Sequence, residues 1–213
     1  MTKGRFVTLE GGEGTGKTTQ LRLLGEWLRS TGREVVLTRE PGGSPQGEAL
    51  RSLLVSGEAG RWDPISETLL HYAARREHLR LTIVPALTRG AWVVCDRFAD
   101  STMAYQHYGL RVAADLVDTL YGRVVGAHRP DLTLVLDLDP EIAFARIAAR
   151  RADGTRYEDM DHAFHMRVRE GFRLIARDDP DRCVLIDAAP GAQAVQSRLR
   201  TLISERFGLV DGG

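Results

Sequence analysis

The sequence predicts a three-layer α/β fold, in which helices cover both faces of a doubly wound, five-stranded parallel sheet. Five short runs of β-branched and apolar residues alternate along the chain with longer stretches of helical periodicity. These runs are continuously apolar rather than strictly alternating, which favours strands that are buried on both faces. Regular alternation of strands and helices is typical of right-handed crossovers within one parallel sheet.

Each element follows from its own stretch of sequence. The strands are predicted, in chain order, at residues 5–10, 34–38, 91–96, 132–138 and 183–187. The helices are predicted at residues 17–31, 45–56, 66–88, 101–108, 113–126, 140–151, 160–177 and 192–207. The expected helix ends are Gly32, Gly57 and Gly90, and the expected helix starts are Pro45 and Pro140. Residues 152–157 interrupt two helical stretches, so we expect a short helical lid at about 146–158 within a single domain, 1–213.

The composition excludes several classes of protein. The 213 residues carry 29 basic and 29 acidic side chains, and this zero net charge argues against a nucleic-acid binder. No apolar run approaches the roughly 18 residues of a membrane span, and no signal-peptide core is present, so we expect a cytoplasmic protein without membrane contact. Cys95 and Cys183 adjoin apolar runs and are expected to be buried free thiols. All but two basic residues are arginine; the lysines are Lys3 and Lys17.

A phosphate-binding loop follows the first predicted strand. Residues 11–18 match G-x-x-x-x-G-K-[ST] and open the first predicted helix, a context that argues against a chance glycine-rich turn. Glycines let the backbone N–H groups surround a phosphate, and the helix N-terminus adds positive charge. Lys17 is expected to contact the β- and γ-phosphates, and Thr18 to bind Mg²⁺. The predicted ATP-binding residues are Gly11, Gly12, Glu13, Gly14, Thr15, Gly16, Lys17, Thr18 and Thr19.

The rest of the chain narrows the class of nucleotide-binding protein. It contains neither the N-K-x-D segment of G-proteins nor an L-S-G-G signature of transport ATPases. Remodelling ATPases end the corresponding strand in a D-E pair. The predicted strand 91–96 instead ends in Asp96, which is followed by Arg97. This pattern fits a kinase of small substrates, in which Asp96 serves the Mg²⁺ site and Arg97 binds an acceptor phosphate. The alternatives are a helix cap for Asp96 and a surface ion pair for Arg97.

Four segments together resemble the thymidylate kinase family. They are LEGGEGTGKTTQ at 9–20, TREPGG at 38–43, LLHYAAR at 69–75 and DRFADSTMAYQ at 96–106. The resemblance extends from about residue 6 to residue 207. It implies an enzyme that transfers the ATP γ-phosphoryl group to dTMP, giving dTDP and ADP for dTTP synthesis. It also implies Mg²⁺ as cofactor and a homodimer built from helices beside the monophosphate site.

The resemblance implies roles for individual residues in dTMP binding. Arg97 and Arg39 would bind the dTMP phosphate, with Arg51 nearby, and Arg75 would contact the carbonyl edge of thymine. The residues expected to line the base are Ser101, Thr102 and Gln106. The residues expected at the sugar are Tyr105, which would crowd the 2′ position, and Glu13, which would approach the 3′-hydroxyl. The acids expected to organise Mg²⁺ and water are Glu10 and Asp96.

One position departs from the family pattern. Four residues before the base-reading arginine, where the family usually has a stacking Phe, this chain has His71 followed by Tyr72. An imidazole can stack on thymine, but it can also become charged near its usual pKa of about 6.5. We expect His71 to stack. The alternative is Tyr72, although one residue along a helix turns the side chain by about 100°.

Basic residues flank the predicted lid. The phosphate-binding loop has no arginine at 13–15, which resembles the bacterial arrangement with catalytic arginines in the lid. Arg146 and Arg150 share a helix face, and the resemblance implies that Arg150 or Arg151, together with Arg156, contacts the transferring phosphoryl group. Such an arginine contributes about 10³–10⁵ in rate; a solvated basic face is the alternative. The predicted catalytic residues are Lys17, Arg97, Arg150, Arg151 and Arg156. Adenine is expected between the first lid helix and residues 187–191.

Two other functions remain open at the level of sequence. One is another nucleotide or deoxynucleoside kinase of the same fold. The other is a nucleotide-dependent switch that binds ATP without turnover, and the paired arginines Arg39 and Arg97 argue against it.

Overall fold

The computed structural model describes residues 4–58, 60–149 and 156–209. Its centre is one five-stranded sheet in the order β2-β3-β1-β4-β5, with all neighbouring strands parallel. The strands are β1 (Phe6–Glu10), β2 (Val35–Arg39), β3 (Trp92–Asp96), β4 (Leu132–Asp137) and β5 (Cys183–Asp187). The predicted fold class is therefore confirmed, with strand ends that differ from the expected ones by one residue at most.

Helices alternate with these strands. They are α1 (Lys17–Ser30), α2 (Pro45–Val55), α3 (Pro64–His78), α4 (Val84–Thr88), α5 (Ala99–Thr102), α6 (Ala114–Val124), α7 (Pro140–Ala149), α8 (His162–Asp178) and α9 (Ala192–Phe207). Pro45 and Pro140 open α2 and α7 as expected. Helix α3 begins earlier than predicted, because Asp63 caps the N–H groups of Ile65 and Ser66 and Pro64 occupies the first turn. Within the described ranges, every helix is too short or too polar to span a bilayer.

Burial separates the central strands from the edge strands. Every residue of β1 is buried, and β3 and β4 are buried up to their last residue, as expected for strands covered on both faces. On one face, α1 and α9 pack against the sheet through side chains such as Leu24 and Leu199. On the other face, a cluster around Phe6 and Phe98 adjoins a second one around Phe164 and Phe172 of α8. Cys95 and Cys183 are buried and free, as predicted.

Two π-helical segments replace regular helix where long helices were predicted. The predicted helix 66–88 contains one at Leu79–Ile83, which ends two residues before Pro85 of α4. Pro85 lacks an N–H group, and its ring would clash with the carbonyl four residues earlier, so the helix widens locally. The predicted helix 101–108 is α5 followed by a π-helix at Met103–Gly109.

A buried ion pair anchors α5 to the sheet. Arg182, just before β5, donates from both terminal nitrogens to the two carboxylate oxygens of Asp100, at 2.6 and 2.9 Å. It also donates to the Thr133 hydroxyl of β4, which contacts the Thr8 hydroxyl of β1. Both charged side chains are nine-tenths buried. The pair therefore fixes α5, and with it the neighbouring Ser101, above the central strands.

Candidate active site

The carboxyl ends of β1, β2 and β3 open into one cleft with a volume of ≈ 610 Å³. Clefts at this edge of an open parallel sheet are where ligands bind in doubly wound folds. Every residue predicted for dTMP lines it: Glu13, Arg39, Arg51, His71, Arg75, Arg97, Ser101, Thr102, Tyr105 and Gln106. The predicted ATP-site residues that line it are Glu13, Gly14, Gly16, Lys17, Thr18 and Thr19. Gly11, Gly12 and Thr15 belong to the same loop but lie outside the lining.

The phosphate-binding loop holds Lys17 above its own carbonyl groups. Lys17 Nζ donates to the carbonyl oxygens of Gly11 at 3.1 Å and Gly12 at 2.7 Å. Gly11 has φ 131°, and a Cβ there would lie 2.3 Å from the Leu136 carbonyl oxygen, so the loop requires glycine at this position. Burial, together with the positive charge of Arg97, lowers the pKa of Lys17 to about 8.

Thr18 and Asp96 meet at the mouth of the loop. The Thr18 hydroxyl donates to Asp96 Oδ2 at 3.0 Å, which joins the start of α1 to the end of β3. Hard oxygen ligands of this kind suit Mg²⁺, which binds proteins through one or two side chains and completes its shell with phosphates and water. Among the described residues, no group of three acidic, His or Cys side chains is positioned to hold a metal alone. The donor set therefore fits a nucleotide-bound Mg²⁺.

Glu10 lies outside the lining of the cleft, and its role in organising Mg²⁺ and water stays a prediction. Its carboxylate is fully buried and accepts hydrogen bonds from the Phe98 N–H at 2.7 Å and the Ser101 hydroxyl at 2.5 Å. Burial and the negative charge of Asp100 raise the pKa of Glu10 to about 7, against the opposing effect of Ser101. Through these two hydrogen bonds, Glu10 stabilises the turn that follows β3.

Arg97 is the centre of a polar cluster in the cleft. Its guanidinium donates to Glu13 Oε1 at 2.8 Å, to the Tyr105 hydroxyl at 2.9 Å and to the Gly11 carbonyl at 2.9 Å. Its backbone has φ 68°, a left-handed conformation that is uncommon outside glycine. Burial alone would raise the pKa of Glu13, but the charges of Arg97 and Lys17 outweigh it and lower this pKa to about 2. The turn that follows β3 therefore aims a fixed cation at the centre of the cleft.

Arg39 and Arg51 approach the same region from β2 and α2. Arg39 forms a half-exposed ion pair with Glu48 at 2.9 Å, and Arg51 donates to the Pro41 carbonyl at 2.8 Å. Partial burial and the neighbouring charge of Arg39 lower the pKa of Arg51. Three guanidinium groups thus face one end of the cleft, the arrangement that the family resemblance implies.

Arg75 is almost completely buried at the opposite end. Its Nε donates to Glu40 Oε2 at 2.8 Å, and its Nη2 donates to the Phe98 carbonyl and the Thr102 hydroxyl. The remaining nitrogen, Nη1, is buried and has no hydrogen-bond partner among the described residues. A buried donor without an acceptor is costly, so Nη1 is suited to a ligand carbonyl.

His71, and not Tyr72, faces the cleft. Tyr72 is buried on the other side of α3, where its hydroxyl donates to the Val117 carbonyl of α6 at 3.2 Å, so the alternative stacking residue is excluded. His71 Nε2 lies 2.9 Å from the Tyr157 hydroxyl. Burial and the positive charges of Arg75 and Arg156 lower the pKa of His71 to about 3, so its ring is neutral at physiological pH.

Arg156 lies in a buried cluster beside the end of the cleft around Arg75 and His71, called the base end below, and its contact with the transferring phosphoryl group stays a prediction. Its Nη2 forms an ion pair with Glu67 Oε2, and its Nε donates to the Leu54 carbonyl. Glu67 Oε1 also accepts from Gln106 Nε2 at 2.9 Å and from the Tyr157 hydroxyl at 2.7 Å. Arg156 already neutralises a buried carboxylate, so a contact with the transferring phosphoryl group would require this ion pair to break first.

The other lid arginines divide into two groups. Arg146 of α7 lines the cleft and donates to the carbonyl oxygens of Ala188 and Ala189 at 3.0 Å each. It thereby joins α7 to the loop after β5, the two elements predicted to enclose adenine. Arg150 and Arg151 lie outside the described residues.

Three residues of the site were not identified from the sequence. Glu40 pairs with Arg75, and Glu67 and Tyr157 support the base end. Glu40 lies inside the quoted TREPGG segment, so its motif was the available signal. Glu67 precedes His71 by one helical turn, a spacing that places both on one face of α3.

Comparison with known proteins gives one consistent result. The family model described as thymidylate kinase matches residues 9–199. The chain is 50% identical over 209 residues to a thymidylate kinase from Caulobacter vibrioides, covering 98% of this chain and 100% of that protein. It is 49% identical to one from a Bradyrhizobium species, covering 96% and 92%. The crystal structure of the Ehrlichia chaffeensis thymidylate kinase superposes with a TM-score of 0.76 at 37% identity, covering 94% of this chain and 99% of that one.

Proposed function

The chain belongs to the thymidylate kinase family, and from that membership we propose how its cleft transfers the ATP γ-phosphoryl group to dTMP. The enzyme is an ATP-dependent nucleoside monophosphate kinase, and its reaction gives dTDP and ADP for dTTP synthesis. The observation that carries the proposal is that Lys17 and Arg97 occupy one cleft, with a phosphate-binding loop beside an acceptor arginine.

Catalysis rests on position and charge. The acceptor phosphate of dTMP is already anionic near neutral pH, so the reaction needs no general base. Lys17 binds the ATP phosphates, and Arg97, Arg39 and Arg51 hold the dTMP phosphate in line with them. Arg150 and Arg151 remain candidates for the transferring phosphoryl group, because Arg156 is held by Glu67.

Thr18 and Asp96 would hold Mg²⁺ together with the nucleotide phosphates. A bound Mg²⁺ neutralises charge on the β- and γ-phosphates. The support for this proposal is the 3.0 Å contact between the two side chains at the mouth of the loop.

Thymine selection follows from fixed donors and acceptors. The free Nη1 of Arg75 would donate to a thymine carbonyl. Glu67 holds the amide nitrogen of Gln106, which leaves the amide oxygen to accept from the base. Ser101 and Thr102 complete this wall, and His71 supplies the stacking ring.

Two side chains would recognise deoxyribose. The Tyr105 hydroxyl donates to Glu13 Oε1 at 3.0 Å and accepts from Arg97, which fixes the ring in the cleft. Tyr105 in this position would crowd a 2′-hydroxyl, and Glu13 would accept from the 3′-hydroxyl. Adenine would lie by Arg146, between α7 and the loop after β5.

We further propose that residues 1–213 act as one kinase domain in a cytoplasmic homodimer that binds neither nucleic acid nor membrane. The family model spans most of this length, and both ends of the described chain pack on the one sheet. Exposed Leu53, Ile65 and Leu69 on α2 and α3 offer an apolar face beside the monophosphate end of the cleft.

A coupled assay of ADP release across dTMP, dUMP, UMP, CMP and GMP tests the substrate. We expect the highest kcat/KM with dTMP. Equal turnover of all five would contradict the base and sugar contacts, and ATP binding without ADP release in the presence of every acceptor would point to a nucleotide-dependent switch.

A further inference from the structure

A chain of three side chains runs from the base end of the cleft into the protein. His71 Nε2 lies 2.9 Å from the Tyr157 hydroxyl, and this hydroxyl lies 2.7 Å from Glu67 Oε1. Arg156 Nη2 approaches the same hydroxyl at 3.1 Å. The Glu67 and Tyr157 side chains are buried, and His71 lines the cleft. The order of donors along this chain determines which ring nitrogen of His71 carries a proton.

Glu67 is the acceptor at the inner end. It faces three donors, which are the Gln106 amide, the Tyr157 hydroxyl and the Arg156 guanidinium. One of these three donors is the buried Arg156 cation, and a carboxylate paired with it can only accept hydrogen bonds. The single hydroxyl proton of Tyr157 must therefore point towards Glu67.

The Tyr157 oxygen is then an acceptor for its other neighbours. A hydroxyl that has donated its one proton can receive hydrogen bonds through its lone pairs. The 2.9 Å contact with His71 requires a proton on Nε2 of the imidazole. The remaining nitrogen, Nδ1, has no hydrogen-bond partner among the described residues.

The surrounding charges disfavour a second proton on the ring. Arg75 lies on the same helix, Arg156 precedes Tyr157, and Arg97 faces His71 from the end of β3. Glu67, the acid that joins this chain through Tyr157, is already paired with Arg156. Burial acts in the same direction, because a charged imidazole loses its hydration there.

We propose that Tyr157 and Glu67 are positioning residues that hold His71 as the neutral Nε2–H tautomer, with its ring fixed as the stacking surface for thymine. This inference rests on the proposed binding of dTMP. It extends that proposal to Tyr157 and Glu67, which act on thymine through His71. The hydrogen bond compensates for the replacement of Phe by His, because an unrestrained imidazole would change tautomer and rotate.

The tautomer can be measured without substrate. Long-range ¹H–¹⁵N spectra of the histidine-labelled protein at pH 7, assigned with His71→Phe, should show pyrrole-type Nε2 and pyridine-type Nδ1. In Tyr157→Phe we expect a mixture of tautomers. An Nδ1–H tautomer or an imidazolium in the unmodified protein would overturn the proposal.

Kinetics test the consequence for binding. Tyr157→Phe should raise the KM for dTMP about fivefold, the effect of one hydrogen bond, and leave kcat unchanged, because thymine is remote from the reacting phosphates. In the His71→Phe background, where no imidazole remains to be held, the same substitution should have a much smaller effect. An equal rise in both backgrounds would contradict the inference and assign Tyr157 a merely structural role.

Tyr72→Phe is the matched control. It removes a buried hydroxyl from the residue next to His71, but that hydroxyl donates to α6 rather than to the cleft. We expect its KM for dTMP to equal that of the unmodified protein. If dTMP proved not to be the substrate, the NMR result would still hold, so failure of the proposed function and failure of this inference are distinguishable.

Discussion

At the scale of single residues, the cations of the cleft already have partners that a substrate phosphate would replace. Arg97 contacts Glu13, Arg39 contacts Glu48, and Lys17 contacts carbonyl groups of its own loop. Binding of a phosphate therefore exchanges one set of charge-assisted hydrogen bonds for another. This arrangement keeps each side chain in position before the substrate arrives.

Lys17 predicts a pH dependence. Its pKa of about 8 means that the ammonium form, which binds phosphate, is lost from the free enzyme as the pH rises above 8. We expect kcat/KM for ATP to fall by about tenfold per pH unit above 8, because this parameter reports the free enzyme. The kcat should stay level to a higher pH, since bound phosphates keep Lys17 protonated.

The matched variant is Lys17→Arg, whose guanidinium stays charged throughout this range. It should lose activity at every pH but show no decline above pH 8. A decline of equal steepness in both proteins would assign the pH dependence to another group.

The sequence predicted the phosphate end of the site better than the base end. Lys17, Thr18 and Arg97 are identified by fixed spacing within contiguous motifs. Glu67 lies on a helix beside exposed residues, a pattern that indicates a solvent-facing acid, but it is buried against Arg156, Gln106 and Tyr157 from distant parts of the chain. The spacing of Glu67 from His71 indicates a shared helix face, but the long-range pairing with Arg156 leaves no local signal.

At the scale of elements, the ion pair between Asp100 and Arg182 predicts a large effect on stability. Asp100→Asn would leave Arg182 buried with an incomplete partner, and breaking a buried pair costs about 3–5 kcal/mol. Urea unfolding followed by circular dichroism would measure the change.

The control is Glu26→Gln, which breaks the exposed pair with Arg22 on α1. This change should cost less than about 1 kcal/mol, because water screens exposed charges. Similar losses in the two variants would show that α5 does not depend on the buried pair.

Helix interiors were harder to predict than strands. Continuous apolar runs located the three central strands, because these are buried on both faces, and they also located the edge strands β2 and β5, which are only partly buried. The π-helix at Met103–Gly109 has no comparable signal, since one additional residue per turn leaves the composition unchanged. It nevertheless presents both Tyr105 and Gln106 to the cleft.

At the scale of the whole molecule, the zero net charge, from 29 basic and 29 acidic residues, conceals an uneven distribution of charge. Basic side chains converge on one cleft, and acids balance them within it and elsewhere. The outer faces of α2 and α3 instead expose apolar side chains, which is typical of an interaction surface when they form a contiguous patch.

This apolar face predicts the assembly. Ile65 and Leu69 lie one turn apart on α3 and are about half exposed, at 50% and 48%. We expect Leu69→Arg to convert the proposed dimer into a monomer, because a buried unpaired charge opposes association. Sedimentation velocity would measure this, with Leu185→Arg on the edge strand β5 as the control that should remain dimeric. A dimeric Leu69→Arg variant would contradict this interface.

Because lysine is scarce in this chain, Lys17 can be modified selectively. An amine whose pKa lies near 8 is substantially unprotonated in mildly alkaline solution, and so it reacts with acylating reagents far more readily than an ordinary lysine. Lys17 is the one lysine in the described residues, and it lines the cleft where ATP is proposed to bind. A nucleotide-shaped electrophile would therefore label the enzyme at a single internal position, and covalent probes could be built for this pocket without engineering the protein.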